Sequence, residues 1–390
     1  MHSPLQGLKV LDLSTLLPGP YATLMLADLG ADVLRIEALN RPDMVRALPP
    51  KDASGESAAH SYLNRGKKSL ALDLKQPEGA DLLRSLVQHY DILVEQFRPG
   101  VMAKLGLDYD ALGAINPRLI YCAITGYGQS GPNRDRAGHD INYLALAGVS
   151  DYSRRAGEPP VPQGIQVADV AGGSHHAVMG ILAAVIERQR SGLGQFIDIS
   201  MTDCAFAMNA MFAAGYLGGG VAPAAENNVL NGGGFYDYYT TADGRYLSIG
   251  SLEPPFLMAL CEITGLTALA GKALSPLGQD AAEFKTALRN VIASRDFADW
   301  QTVFANADCC VEPVLTFAEA CASEHIKSRG MVLNIQSPNG PVQQLANPLS
   351  RGSVASHSGA ALGADTQQVL NELGLDNLTI GGLRQRKVVR

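Results

Sequence analysis

Residues 8–37 read LKVLDLSTLLPGPYATLMLADLGADVLRIE, and this stretch decides the fold class. The apolar run at 8–14 predicts a strand, Pro-Gly-Pro at 18–20 predicts a turn, and the pattern after the turn predicts a helix that ends near Leu29. A second apolar run at 32–37 predicts another strand. A strand, a helix and a strand in this order form a βαβ unit, which joins parallel strands.

The same alternation continues along the N-terminal part of the chain. Strands are predicted at 69–73, 91–97 and 119–125, and helices at 78–90 and 101–112. Because strands that alternate with helices pair in parallel, this pattern predicts an α/β fold whose sheet is covered on both faces.

Changes in composition predict the domain boundaries. After a glycine run at 231–234, short strands and turns replace the βαβ rhythm, and the tail carries a predicted helix at 366–373. We therefore expect a large α/β domain at 1–224, a smaller α+β domain at 225–330, and a C-terminal segment at 331–390 that returns to the large domain.

The composition excludes several classes of partner and cofactor. A net charge of −7 disfavours a general nucleic-acid binder, since phosphate backbones select a basic face. The turn TLLPGP at 15–20 lacks the G-x-G-x-x-G fingerprint, so we expect no nicotinamide or flavin cofactor. The N-terminus shows no targeting signal, and no apolar stretch approaches the roughly 18 residues of a membrane span. We expect a cytoplasmic protein that binds neither nucleic acid nor membrane.

The cysteines and one histidine pair give no metal signature. The six cysteines lie in apolar segments without a C-x-x-C pair, so we expect reduced core residues. His175 and His176 have no acidic residue at a metal-ligand spacing. We expect packing or surface roles for both histidines and no metal site.

Asp169 is the strongest catalytic candidate. A helix is predicted to begin at this residue and to end at Gly192, which puts a carboxylate at the N-cap beside unpaired backbone N–H groups. Such donors can hold an oxyanion, and the small residues at 171–173 would let a substrate approach. The alternative is that Asp169 only caps its helix.

Two more residues are candidates for acid–base chemistry. His139 follows a loop rich in turn residues at 126–132, and an imidazole changes protonation near neutral pH, although a structural hydrogen-bonding role is the alternative. Glu253 follows a predicted strand at 246–250 and has apolar neighbours, so we expect it to need a partner. His139 is one candidate for that partner.

Five basic residues near two predicted strand ends could bind the phosphates of a nucleotide. The alternative is a solvated surface cluster. The five residues are Arg65, Lys67, Lys68, Lys75 and Arg98.

An ordered series of short motifs extends over nearly the whole chain. The motifs are GLKVLD at 7–12, PGP at 18–20, LGADV at 29–33, NRGKK at 64–68, LDLK at 72–75, FRPG at 97–100 and TGYG at 125–128. In this series the chain resembles the family III coenzyme A transferases of the CaiB/BaiF type, a group that also contains carnitine coenzyme A transferase and α-methylacyl-CoA racemase.

The resemblance implies a fold, a substrate and a set of binding residues. It implies an interlocked homodimer, in which each chain has a Rossmann-like large domain completed by its C-terminal segment. It also implies that coenzyme A enters as part of an acyl-CoA substrate, with no other cofactor. The residues to which it assigns coenzyme A binding are Leu74, Lys75, Gln96, Phe97 and Arg98.

Two motifs resemble the racemase branch of that family. GHDINY at 138–143 matches the racemase pattern without change, whereas transferases usually carry another residue, often Tyr, in place of His139. The segment at 234–256, with GFYD, TADGRY and LEPPF, is also racemase-like. The lead-in QGIQVAD at 163–169 and the residue Val170 are closer to transferases.

The racemase resemblance implies a two-group mechanism. One group removes the α-proton of a 2-methylacyl-CoA thioester, and a second returns a proton on the opposite face of the enolate. His139 and Asp169 would be these groups, and Glu253 would orient His139. Backbone amides at the start of the Asp169 helix would hold the enolate oxygen.

Two alternatives stay open at this point. In a coenzyme A transferase, Asp169 is a nucleophile that forms a mixed anhydride, His139 has no required role, and the glycines at 232–234 cover the anhydride. In the other interpretation, the chain is a coenzyme A-binding subunit that acts only with a paralogous partner.

Overall fold

The computed structural model describes residues 3–275, 277–337, 339–350 and 357–390. Met1 and His2, on which the expectation of no targeting signal partly rests, lie outside this part. The strands are β1 (Lys9–Asp12), β2 (Asp32–Glu37), β3 (Lys68–Ala71), β4 (Ile92–Glu95), β5 (Ile120–Thr125), β6 (Phe196–Ser200), β7 (Asp237–Thr240), β8 (Tyr246–Ile249), β9 (Val311–Pro313), β10 (Val332–Ile335) and β11 (Val342–Leu345).

The helices follow the strands in the alternation that the sequence predicts. They are α1 (Pro18–Asp28), α2 (Ala58–Leu63), α3 (Pro77–Val87), α4 (Val101–Lys104), α5 (Tyr109–Ile115), α6 (Asp140–Leu146), α7 (Val149–Tyr152), α8 (His176–Ser191), α9 (Met201–Ala207), α10 (Ala210–Gly219), α11 (Pro254–Thr264), α12 (Ala270–Ala273), α13 (Gln279–Ile292), α14 (Phe297–Phe304), α15 (Phe317–Ala322), α16 (Glu324–Ser328), α17 (Thr366–Glu372) and α18 (Asn377–Gln385). A π-helical segment, Ala168–His175, leads directly into α8.

The chain forms two compact units. Unit 1 comprises Met1–Leu146, Gly164–Ala207 and Ser323–Arg390, and unit 2 comprises Ala147–Gln163 and Met208–Ala322. Unit 2 differs from the predicted domain at 225–330, because it also contains 147–163 and 208–224 and it ends at Ala322. Side chains bind these segments together within unit 2, since Asn209 donates to the Ala147 carbonyl (3.2 Å) and Asn231 donates to the Tyr152 carbonyl (3.2 Å).

Unit 1 is built on a parallel sheet, as the sequence predicts. The six strands lie in the order β3-β2-β1-β4-β5-β6, and every neighbouring pair is parallel. Because helices cover both faces, the strands are almost wholly buried and apolar. Leu370 and Ile380 of the C-terminal helices are fully buried in the core on one face of this sheet.

The strand order places a crevice at one edge of the sheet. From β1 the chain proceeds outward to β2 and β3, and it then returns to β4 on the other side of β1. The loops after β1 and β4 therefore diverge, and this reversal point at the carboxyl edge is where open α/β sheets bind ligands.

Unit 2 has a different architecture. A three-stranded antiparallel sheet, β7-β8-β9, packs with helices around a core that includes Phe284 and Trp300. This composition of antiparallel strands and helices agrees with the predicted α+β class.

One predicted helix is divided in the structure. The pattern at 101–112 predicts a single helix, but α4 ends at Lys104 and α5 begins at Tyr109. Gly106 lies between them with a φ of 64°, a left-handed conformation that glycine adopts without steric cost and that ends a helix.

One helical span meets the length and composition of a membrane segment. This span is Ala168–Ser191, which consists of the π-helical segment and α8. In unit 1 it packs against α1 and against the strands β5 and β6. Its apolar character is thus explained by its position as a covering helix of the sheet.

Buried ion pairs fix the loops at the carboxyl edge. Asp12, the last residue of β1, is fully buried, and its carboxylate lies 2.9 Å from the ammonium of Lys67. Lys67 also donates to Thr23 and to the Pro20 carbonyl, so it ties the start of α1 to β1. Arg65 is equally buried and binds Asp28. The prediction that Arg65 and Lys67 could bind phosphates is therefore wrong, because both side chains are buried in ion pairs with aspartates of the same chain.

The adjacent lysines 67 and 68 provide a matched test of this ion pair. We expect Lys67→Met to lower the free energy of unfolding by about 3–5 kcal/mol, since it leaves the Asp12 carboxylate buried without its cation. Lys68→Met should lower it by less than about 1 kcal/mol, because the pair of Lys68 with Asp32 is partly exposed. Chemical denaturation of both variants measures the difference, and equal losses would contradict the account.

Candidate active site

Asp169 lies inside the first turn of its helix. The sequence predicts Asp169 as the N-cap, but the N-cap is Val167, and Asp169 is the second residue of the π-helical segment. Its side chain is half-buried. Short π-helical segments are rare and often occur at functional sites, because they reposition side chains relative to a regular helix.

The side chain that caps this helix belongs to Asp140. Its Oδ1 accepts hydrogen bonds from the backbone amides of Ala168 (2.7 Å) and Asp169 (3.1 Å). Asp140 is the first residue of α6 and is only 6% exposed. A buried carboxylate from another helix thus satisfies donors that would otherwise be unpaired at the helix start.

This cap changes the expectation for the enolate oxygen. The amides of Ala168 and Asp169 donate to Asp140, and the amide of Val170 donates to the Gln166 carbonyl at 2.9 Å. These three amides at the helix start are engaged within the chain. The prediction that they hold a substrate oxyanion is therefore wrong for this conformation.

The environment of Asp169 suits proton transfer near neutral pH. The pKa of Asp169 is raised to about 6, chiefly by burial and also by the negative charge of Asp140, while His139 opposes both effects. A carboxyl group with this pKa can accept or donate a proton under ordinary conditions.

His139 directly precedes the capping residue, and its backbone is fixed. Its amide donates to the Asn142 side chain at 2.9 Å, and its carbonyl accepts from the Asn142 amide at 2.8 Å. The hydroxyl of Tyr143 donates to the Gly138 carbonyl at 2.5 Å. The imidazole itself is exposed, so the loop presents it to solvent from a fixed position beside Asp140.

The glycines after Asp169 serve close packing within the protein. A Cβ atom on Gly172 would lie 3.2 Å from the Met201 carbonyl oxygen, and one on Gly173 would lie 3.1 Å from the Pro18 side chain. Ser174 also donates to the Pro18 carbonyl at 2.6 Å. The expectation that these glycines admit substrate is wrong, because the turn after β1 and the start of α9 occupy the space. Their packing brings the Asp169 helix to the carboxyl edge of the sheet.

The residues expected to bind coenzyme A share that edge. Gln96, Phe97 and Arg98 directly follow β4, and Leu74 and Lys75 follow β3. The Gln96 side-chain oxygen accepts from the Gly19 amide at 3.0 Å, so it bridges the two loops at the reversal point. The side chains of Arg98 and Lys75 are exposed, whereas Leu74 and Phe97 pack partly on the core. Their contacts with coenzyme A stay a prediction.

Glu95 is a residue of this edge that sequence analysis missed. It is the last residue of β4, it is buried, and its carboxylate accepts from the Phe97 amide at 2.6 Å. Burial raises the pKa of Glu95 to about 7, against the effect of the Phe97 amide. Glu95 therefore shapes the turn that carries Phe97 and Arg98. A lone acidic residue at the end of an apolar strand is the signal that could have identified it.

Glu253 belongs to unit 2 and not to the unit of His139. It is exposed at the N-cap position of α11, where its side chain makes no capping bond. Its exposure removes the expected need for a partner against burial. The proposed contact with His139 stays a prediction.

The two adjacent histidines pack within the chain, and the six cysteines differ in burial. The His175 ring lies 6.0 Å from the Tyr21 ring, and the Nδ1 atom of His176 is 2.7 Å from the Ala171 carbonyl oxygen. All six cysteines are free. Cys122, Cys261 and Cys309 are buried as predicted, whereas Cys204 and Cys321 are only partly buried and Cys310 is exposed, so the prediction of a core position is wrong for these three.

The chain is similar to known proteins along nearly its full length. The profile of CoA-transferase family III matches residues 5–366. Alpha-methylacyl-CoA racemase of Homo sapiens is 37% identical, over 99% of this chain and 97% of the relative. Succinate–glutarate CoA-transferase of Agrobacterium fabrum is 35% identical, over 87% of each chain. The crystal structure of a CAIB/BAIF family protein from Brucella suis superposes with a TM-score of 0.83 and 31% identity, over 96% of this chain and 100% of that one.

The raised pKa of Asp169 predicts a stability effect with a definite sign. Its folded pKa of about 6 exceeds the ordinary value of 3.8, so ionisation opposes folding progressively as the pH rises from about 4 to 6. Asp169→Asn removes this penalty. We expect the variant to be more stable than the wild type at pH 7.5 by about 1–2 kcal/mol, after allowance for partial exposure, and to lose this advantage toward pH 4.5.

Denaturant unfolding at the two pH values measures this effect. Asp135→Asn, at an exposed position, controls for the loss of a charge alone. An Asp169→Asn protein that is less stable than the wild type at pH 7.5 would contradict the assignment.

Proposed function

The chain belongs to CoA-transferase family III, and on that premise we propose that it is a racemase of 2-methylacyl-CoA thioesters. The observation that carries this proposal is that Asp140 connects the loop of His139 to the helix of Asp169. Asp140 follows His139 in the chain and binds the amide of Asp169 through its side chain. A racemase needs one group that removes a proton and a second group that returns one on the opposite face, and the His139 imidazole and the Asp169 carboxyl group can fill these two roles.

The chemistry follows from the two groups. In one direction the Asp169 carboxylate takes the α-proton, and the electrons of the C–H bond move into the thioester as an enolate. The imidazolium of His139 then gives a proton to the opposite face of the same carbon. The reverse direction begins with neutral imidazole and protonated Asp169, so a pKa near 6 makes both starting states accessible.

Glu253 has a supporting role in this proposal. A carboxylate that accepts a hydrogen bond from the imidazole would fix its tautomer and stabilise its charged form. The racemase-like segment that contains Glu253, and the 37% identity to the human racemase, support this role. We expect Glu253→Gln to lower racemase activity through His139, with no effect on binding of the thioester.

A transferase is the second candidate, and two observations favour it. The lead-in at 163–169 is transferase-like, and succinate–glutarate CoA-transferase is nearly as similar to this chain as the racemase is. In that reaction the Asp169 carboxylate attacks the thioester carbonyl and expels the coenzyme A thiolate, which leaves a mixed anhydride of Asp169 and the donor acid. The thiolate attacks the Asp169 carbonyl, releases the donor carboxylate and forms a thioester with Asp169, and the acceptor carboxylate then displaces the thiolate to form a second anhydride. Attack of the thiolate on the acceptor carbonyl gives the product thioester and restores the Asp169 carboxylate. The imidazole of His139 is then dispensable.

Proton NMR in deuterated water separates the two candidates. With a racemic 2-methylacyl-CoA and no acceptor acid, we expect the α-proton signal to disappear at a rate proportional to enzyme. Asp169→Asn should abolish the exchange, and His139→Ala should reduce it by at least about 100-fold, the usual size of one acid–base contribution. His176→Ala is the control, because its imidazole lies against a backbone carbonyl in the same helix.

The opposite outcome is equally specific. No exchange with several acyl chains, together with transfer of coenzyme A to added succinate or glutarate, would replace the racemase by a transferase. Transfer that survives His139→Ala would confirm that replacement. Exchange catalysed by the purified chain alone would exclude the need for a paralogous subunit.

We also propose that the chain forms a homodimer, as the family resemblance implies. The helix α10 is apolar along its whole length, yet none of its residues is buried within the chain. Met211 is 73% exposed and Leu217 is 74% exposed, a pattern typical of a covered oligomer surface.

Sedimentation analysis tests the role of α10. We expect the wild type to be dimeric. Met211→Asp with Leu217→Asp should give a larger share of monomer when the protein is refolded from denaturant, because each buried charge opposes association. Leu378→Asp is the control. Leu378 is 86% exposed, but it lies on α18, a helix that is not apolar along its whole length. A monomeric wild type would contradict the proposal.

A further inference from the structure

The C-terminal tail carries a dense group of cations. Residues 384–390 read RQRKVVR, and all four of their basic residues are exposed. The protein as a whole carries a net charge of −7, so this tail is a local reversal of sign. The four residues are Arg384, Arg386, Lys387 and Arg390.

The tail is fixed to one loop of the sheet. Val388 and Val389 are buried, and Val389 forms an antiparallel bridge with Leu72. The Asp73 amide donates to the Val388 carbonyl at 2.9 Å, and the Gln76 side chain donates to the Lys387 carbonyl at 3.0 Å. The cations therefore occupy a defined place beside the loop at 72–76, which follows β3 at the carboxyl edge.

The charges around this place leave several cations uncompensated. Arg386 lies 3.5 Å from Glu78, and the Asp73 carboxylate accepts from the Lys75 amide and the Gln76 side chain. In the described part of the chain, the side chains of Lys75, Lys387 and Arg390 make no ion pair. These three exposed cations border one short loop that begins the helix α3, whose N-terminus adds partial positive charge.

We propose that Lys387 and Arg390, together with Lys75, bind the 3′-phosphate of the nucleotide end of coenzyme A. The 3′-phosphate is a monoester dianion, so it can accept charge-assisted hydrogen bonds from several cationic side chains at once. The strand β3 lies two strands from β1, about 10 Å along the edge, so a ligand whose phosphate binds here extends toward the reversal point. From there its acyl end can reach the helix of Asp169.

The inference rests on the proposed use of a coenzyme A thioester, and its test measures binding without turnover. Calorimetry compares coenzyme A with 3′-dephospho-coenzyme A on the wild type and on Lys387→Gln with Arg390→Gln. We expect the double variant to lose about 10-fold or more in affinity for coenzyme A and less than about twofold for the dephospho compound. Arg190→Gln, an exposed change at the opposite edge where α8 ends, should alter neither.

Thermal unfolding of the double variant checks that the tail remains docked. An equal loss of affinity for both ligands in a folded variant would overturn the inference, as would a wild type that does not distinguish them. Selective loss for coenzyme A supports the tail as the phosphate site even if no α-proton exchange occurs. The two proposals therefore fail separately.

Discussion

The Asp140 carboxylate, bound to the amides of Ala168 and Asp169, is the contact on which the site depends. It fixes the start of the helix, it connects that helix to the loop of His139, and its charge acts on the Asp169 carboxyl. The hydrogen bonds from the two amides compensate for the burial of the Asp140 carboxylate. Burial of Asp169, together with the charge of Asp140, raises the pKa of the Asp169 carboxyl group, which is the property that the proposed proton transfer uses.

The parallel sheet determines where this arrangement can act. The glycines at 172 and 173 let the Asp169 helix approach the turn after β1 and the start of α9, both at the carboxyl edge. Gln96 joins the loops after β1 and β4 at the same edge. The proposed acyl chemistry and the expected nucleotide contacts would thus share one crevice. The basic C-terminal tail pairs with Leu72, next to β3.

The fold was predictable because each buried parallel strand is a short, continuous apolar run in the sequence. The predicted strand at 32–37 coincides with β2, and the glycine at 192 ends α8 as expected. The site was less predictable, because its contacts join distant positions. Lys67 pairs with Asp12 across 55 residues, and Asp140 caps a helix 28 residues away. Local patterns identify Asp169 and His139 as candidates. They do not show that Asp140 caps the helix and that the Asp169 carboxyl group is left for proton transfer.

The most direct test of this account is the pH dependence of kcat/KM for each enantiomer of a 2-methylacyl-CoA, in the wild type and in Asp140→Asn. An asparagine keeps an oxygen that can accept the two amide bonds, but it removes the charge beside Asp169. For the enantiomer from which Asp169 removes the proton, we expect activity to fall below a pKa near 6 in the wild type and below a lower pKa in Asp140→Asn. An acid limb at the same pH in both proteins would contradict the central role of Asp140.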